Sequence, residues 1–212
     1  MKEETSTCEP DYSKFGKKSK KKTKIVPCPI CGDHPVEIEE SNLRIDPTAK
    51  IYQPVVFAEA NHKITIEKNC SIGQFTFIAA RKFYMFEGAQ ISPQATIGGG
   101  GDVYLHKFSV IGFGARLFPA TDSAEGIYMC DSKPESERAV IRGSIHVGEG
   151  VYIGANAVIC VSKRCKDIVI GEHSVVGAGF YLDHSLPSNT VIHLRRGYVG
   201  FDVKERKRKK GK

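Results

Sequence analysis

VGEGVYIGANAVI, residues 147–159, carries aliphatic side chains at Val147, Ile153 and Ile159, six apart, with Gly148 and Gly154 directly after the first two. The same phase returns downstream in VIGEHSVVGAGFYL (169–182) as Ile170, Val176 and Leu182. Upstream it returns as Leu105, Ile111, Leu117; as Met85, Ile91, Ile97; as Ile66, Ile72, Ile78; and as Ile45, Ile51, Phe57. A helix needs apolar spacings of three and four, and a half-buried strand a spacing of two, so neither produces a period of six. A fixed period that recurs along most of a chain marks a repeat architecture.

A second register supports the first. Four places after many of these aliphatics stand small or short residues: Ala49, Val55, Cys70, Thr76, Ala89, Ala95, Ser109, Ala115, Val151, Ala157 and Ser174. A short strand, a tight bend and another short strand, three times per turn, account for both registers. The aliphatic points into a prism, the small residue also faces inward near a corner, and glycine after the aliphatic suits the corner backbone. Stacked turns then pair as parallel sheets about 4.8 Å apart. The expectation is an all-β chain of about six coils.

The repeat breaks twice. FPATDSAEGIYMCDSKPESERAVIRGS (118–144) is polar and turn-rich, with charges unsuited to a prism interior, and is expected to project as a loop. CVSKRCKD (160–167) adds a smaller break between the last two coils. After Leu186 the chain reads as a final strand and then a short segment covering the open end of the prism.

The chain has 212 residues and a formal charge of +7, a balance that suggests nucleic acid until it is located. Residues 1–24 and 204–212 carry +4 and +6, which leaves −3 on the 179 residues between them. Clustered lysines without apolar neighbours do not order themselves, so both ends read as flexible basic tails. A nucleic acid or another acidic partner at these tails stays open as a weak electrostatic contact. The organisation expected is a basic tail (1–24), a short segment (25–44), the prism (45–203) and a second basic tail (204–212). Apolar runs of only a few residues exclude a membrane span and a secretory leader. Seven cysteines at scattered positions (8, 28, 31, 70, 130, 160 and 165) do not form a disulfide framework and suit a reducing, cytoplasmic setting.

CPICGDH (28–34) places Cys28 and Cys31 around a turn with Gly32 behind it, which resembles half of a zinc knuckle, with His34 as a third ligand. Free or redox-active thiols, or plain turn residues, are the other readings of this segment.

From about Ile45 to Leu186 the hexads resemble the hexapeptide-repeat acyltransferases, whose fold is a left-handed parallel β-helix, usually assembled as a homotrimer. The resemblance implies an acyl group delivered by acetyl-coenzyme A, held in a groove between two prisms, and transferred directly when a histidine acts as general base. The loop and the segment RGSIHVGEGVYIGANAVI (142–159) look like a sugar-modifying branch. There a histidine follows the acidic residue in the coil after the loop, at the place held here by Gly150; His173 takes the corresponding place one coil later. His173 and His146 are the candidate bases, and Asp122 and Glu125 are loop acids available to an amino sugar or to a histidine. Gly154, Ala155, Gly177 and Ala178 occupy the family's coenzyme-contacting places. The Gly-Asn-Pro-Ala segment that often follows the last coil is replaced here by HLRRGYV, whose Arg195 and Arg196 are candidates for the coenzyme phosphates.

The resemblance implies an acetyltransferase acting on a hydroxyl or amine of a sugar or nucleotide-linked amino sugar. Two other functions use the same prism. One is a catalytically inactive structural or assembly subunit; the other is a zinc-dependent, carbonic anhydrase-like hydratase with His106, His146 and His173 as scattered ligands.

Overall fold

A computed structural model describes residues 24–27, 35–38, 43–58, 63–194 and 201–205. Three parallel sheets form the sides of a prism. Sheet 1 stacks Leu43–Ile45, Lys63–Ile66, Lys82–Met85, Asp102–Leu105, Ser144–Val147 and Asp167–Ile170. Sheet 2 runs from Lys50–Ile51 to Thr190–Leu194, and sheet 3 from Val55–Phe57 to Tyr181–Leu182. The chain visits the sheets in the order 1, 2, 3 six times, giving coils at 43–57, 63–78, 82–97, 102–118, 144–160 and 167–182. The all-β, six-coil architecture expected from the period is the one found.

The register is the sequence register. Ile45, Ile66, Met85, Leu105, Val147 and Ile170 are successive partners in sheet 1. Ile111, Ile153 and Val176 align in sheet 2, and Leu117, Ile159 and Leu182 in sheet 3. From Ile66 to Leu182 these aliphatics are almost completely shielded from solvent. A slip of one residue would turn each of them outward, so the buried columns fix the pairing of every coil.

The small residues line the corners, and the polar ones among them bond locally. Thr76 Oγ1 donates to the Gly73 carbonyl at 2.7 Å, and Ser109 Oγ to the His106 carbonyl at 2.7 Å. Ser174 Oγ donates to the Pro187 carbonyl at 2.9 Å and accepts from the Thr190 N–H at 3.0 Å. Each buried hydroxyl is thereby satisfied where an unpaired one would destabilise the core. The glycines after the aliphatics have a different cause from the one expected. Left-handed backbone falls two residues later, at Gly150, Asn156, His173 and Gly179. Gly154 is required because the next coil closes on it: a Cβ there would lie 2.4 Å from the Ala178 amide nitrogen.

The large break is a structured excursion. Ala120–Asp122 pairs antiparallel with Val140–Arg142, and a helical turn, Glu135–Arg138, lies between them. Arg138 holds it shut by donating to Asp122 at 3.0 Å and to Asp131 at 2.6 Å. Arg142 ties the base of the loop to the Gly99 and Gly100 carbonyls and pairs with Glu135, while Lys163 in the smaller break pairs with Glu125.

Two boundaries move at the ends. Phe201–Glu205 runs antiparallel to Thr190–Leu194 as the last strand of sheet 2, so it extends one edge rather than lying across the open end of the prism. Lys204 and Glu205, assigned by charge to the tail, belong to that strand. Near the N-terminus Lys24–Pro27 and Pro35–Ile38 pair antiparallel, on either side of the CPICGDH segment. Among the described residues no helix is long and apolar enough to cross a membrane.

The core has a direct test in chemical denaturation. Ile153→Ala, at a position with 0% exposure, is expected to cost about 3 kcal/mol, whereas the adjacent outward Tyr152→Ala costs less than about 1 kcal/mol.

Candidate active site

The outward face of sheet 1 is a grid, because alternate residues of each strand leave the prism and the coils stack in register. Its rows are Lys82, Tyr84, Phe86; Asp102, Tyr104, His106; Ser144, His146, Gly148; and Asp167, Val169, Gly171. Two depressions arise where the grid lacks bulk. Gly148 and Gly171 continue the column of Phe86 and His106 without side chains, which opens a groove of about 540 Å³. Gly143 and the short Ser144 leave a polar hollow of about 400 Å³, bordered by Arg81, Asp102, Tyr104, Arg142 and Asp167. His146 lines both depressions.

Aromatic stacking holds this imidazole in place. Its ring lies 4.5 Å from that of Tyr104 at 14°, and His106 stacks on Phe86 at 4.8 Å and 7°. The two histidine rings are 6.0 Å apart. Partial burial pushes the His146 pKa below that of an ordinary imidazole, and proximity to His106 adds to the effect; Asp167 and Asp102 partly oppose it. The shift favours the neutral ring, the form able to take a proton as a general base must.

The other expected site residues are dispersed. His173 stands on the corner column between sheets 1 and 2 in left-handed backbone, at φ 58°. Its Nδ1 would lie 2.6 Å from a Cβ built on Gly150, so it does occupy the place one coil after Gly150, but it lines neither depression. Asp122 is bound at both carboxylate oxygens by Arg138, and Glu125 by Lys163, so these acids brace the loop. Gly154, Ala155, Gly177 and Ala178 stack on the corner between sheets 2 and 3. In a three-sided prism that edge is opposite sheet 1, so one chain does not bring them to His146. Arg195, Arg196, Cys28, Cys31 and His34 lie outside the described residues.

Among the described residues no group of three or more His, Cys, Asp or Glu side chains is disposed around a metal position. His106 and His146 are neighbours, while His173 belongs to a different column from either. Sequence reading passed over Tyr104, Asp167 and Arg81, and took His106 only as a scattered zinc ligand. The available signal was phase: counting one and three places back from each sheet 1 aliphatic, and one forward, recovers the grid.

No family model matches the chain, and no curated protein matches it. Solved structures do. A point variant of AntD, an N-acyltransferase from Bacillus cereus in complex with dTDP-4-amino-4,6-dideoxyglucose and coenzyme A, superimposes with a TM-score of 0.59 at 23% identity, over 77% of this chain and 80% of that one. A second AntD variant, with dTDP and coenzyme A, gives a TM-score of 0.50 at 22% identity over 77% and 81%. At this identity the likeness is one of fold, and in fold the chain corresponds to these acyltransferases along most of its length.

The electrostatics predict an ordering that NMR titration of the imidazoles reads. His146 is expected to titrate below an ordinary imidazole, His106→Gln to raise its value by removing the neighbouring ring that opposes its protonation, and Asp167→Asn to lower it. Because the unfolded chain takes up this proton more readily than the folded one, His146 makes the fold less stable as pH falls below about 6.5.

Proposed function

We propose that the protein is a coenzyme A-dependent acyltransferase that acetylates a hydroxyl or amine of a sugar or nucleotide-linked amino sugar, working in the cytoplasm as a homotrimer. One observation carries this reading: a stacked His146, its pKa lowered by burial, stands between a groove and a polar hollow on a prism whose fold resembles that of an N-acyltransferase in complex with dTDP-4-amino-4,6-dideoxyglucose and coenzyme A. The acceptor occupies the hollow and the thioester the groove. His146 removes a proton as the acceptor oxygen or nitrogen attacks the thioester carbon. The tetrahedral adduct collapses by breaking the C–S bond, and the proton passes to the departing sulfur. A trimer supplies what one chain lacks, since the Gly154, Ala155, Gly177 and Ala178 edge of a second copy has to face sheet 1 of the first for the coenzyme to reach His146.

The hydratase reading loses support because His173 lines neither depression beside His106 and His146, and the structural-subunit reading because it leaves the two depressions without a use.

Calorimetry with acetyl-coenzyme A is expected to show saturable binding to the wild type and to His146→Ala. In a thiol-release assay with dTDP-4-amino-4,6-dideoxyglucose and other amino sugars, His146→Ala loses transfer by about 10²–10⁴-fold. His173→Ala retains it, as does a chain lacking residues 1–23 and 206–212. Absence of coenzyme binding, or full activity in His146→Ala, overturns the proposal.

A further inference from the structure

The formal charges around the polar hollow sum to zero, but they are not evenly paired. Asp102, nearly buried, is held by Arg81 Nε at 2.8 Å and by Lys82 Nζ at 3.5 Å. Arg142 is occupied with Glu135 and the Gly99 and Gly100 carbonyls. Asp167 has only neutral hydrogen-bond partners among the described residues: its Oδ1 accepts from the Ser144 N–H at 3.1 Å and from the Ser144 hydroxyl at 2.7 Å. Those two bonds aim the carboxylate and leave Oδ2 without a donor among the described residues. Asp167 pairs in register with Ser144, two residues before Val169, which is the partner of His146. It therefore stands diagonally across one coil step from the imidazole, and its charge acts on that ring.

We propose that the hollow is a primary-amine subsite, in which Asp167 Oδ2 is the counter-charge for an ammonium group and selects amine over hydroxyl acceptors. The inference rests on the acyltransferase reading and narrows its acceptor to an amino sugar. The acid available to an amine is thus on sheet 1, not in the loop, where Asp122 and Glu125 are already paired.

The chemistry follows from the two groups that share the hollow. A carboxylate bonds a charged N–H donor more strongly than a neutral O–H donor, so the site accumulates the ammonium form. That form has no lone pair. Neutral His146 takes one proton from it, and the freed amine keeps an N–H on Asp167 while its lone pair attacks the thioester carbon. His146 releases that first proton to solvent; the C–N bond then forms, the C–S bond breaks, and the second proton lost from nitrogen passes through His146 to the departing thiolate. Asp167 is a binding and specificity residue, and His146 remains the base.

The test needs no turnover. At pH 7 the His146 ring resonances are followed in the full-length protein while D-glucosamine or D-glucose is added, in the wild type and in Asp167→Asn, whose amide oxygen preserves the Ser144 hydrogen bonds. D-Glucosamine is expected to give a saturable shift in the wild type, with affinity falling about tenfold in Asp167→Asn, and D-glucose to bind no better than D-glucosamine binds the variant. Equal affinity for the two sugars, an unchanged affinity in Asp167→Asn, or no shift in the wild type overturns the proposal. Coenzyme calorimetry is independent of this readout, so failure of the acyltransferase reading and failure of the amine subsite are told apart.

Discussion

The constraint on which the rest depends is the stacking of one aliphatic residue on another at each face of the prism. Ile72, Ile91, Ile111 and Ile153 follow one another up sheet 2 with almost no exposure, and equivalent columns rise in sheets 1 and 3. Burial of apolar area drives the stack, while the parallel ladder sets its step at about 4.8 Å. Because these columns are continuous, every residue at a given offset from an aliphatic also forms a column, including those that face outward.

That regularity is how one face of the prism forms a candidate site. Sheet 1 turns two aromatic residues, Tyr84 and Tyr104, toward solvent directly before His146 in one column, and Phe86 and His106 before Gly148 in the next. Omitting side chains at Gly148 and Gly171 makes a groove, and a serine at 144 makes a hollow. His146 borders both because it lies between the two columns that lose bulk. Its depressed pKa follows from the same placement, since stacking on Tyr104 partly buries the ring and the next column puts His106 beside it.

Electrostatics then sorts the acids. Asp122, Asp131 and Glu125 close and anchor the loop, and Asp102 is shared by Arg81 and Lys82. The exposed pair of Lys163 with Glu125 contributes little stability, and the more buried pairs of Asp122 and Asp102, like it, neutralise the carboxylates that take part. Among the described residues Asp167 has Ser144, a neutral group, as its hydrogen-bond partner, and the proposed amine subsite rests on that difference.

By itself the sequence determined the coils, their register and the two breaks. The period of six is local, repeated, and written in which side chains must avoid water, so VGEGVYIGANAVI and VIGEHSVVGAGFYL are enough to phase the whole prism. It also marked His146 as outward-facing. The sequence put His173 at a corner between hexads and His146 one residue before Val147, both outward-facing; that His146 borders the groove and the hollow while His173 lines neither appears only in the tertiary structure, because the residues that shape the two depressions come from neighbouring coils. The partners of the loop acids were hidden for a related reason: Arg138 and Lys163, which pair with Asp122 and Glu125, meet them only after the chain folds back. A site on a β-helix is assembled from residues one coil apart, and their chemistry depends on neighbours that are adjacent in space and distant along the chain.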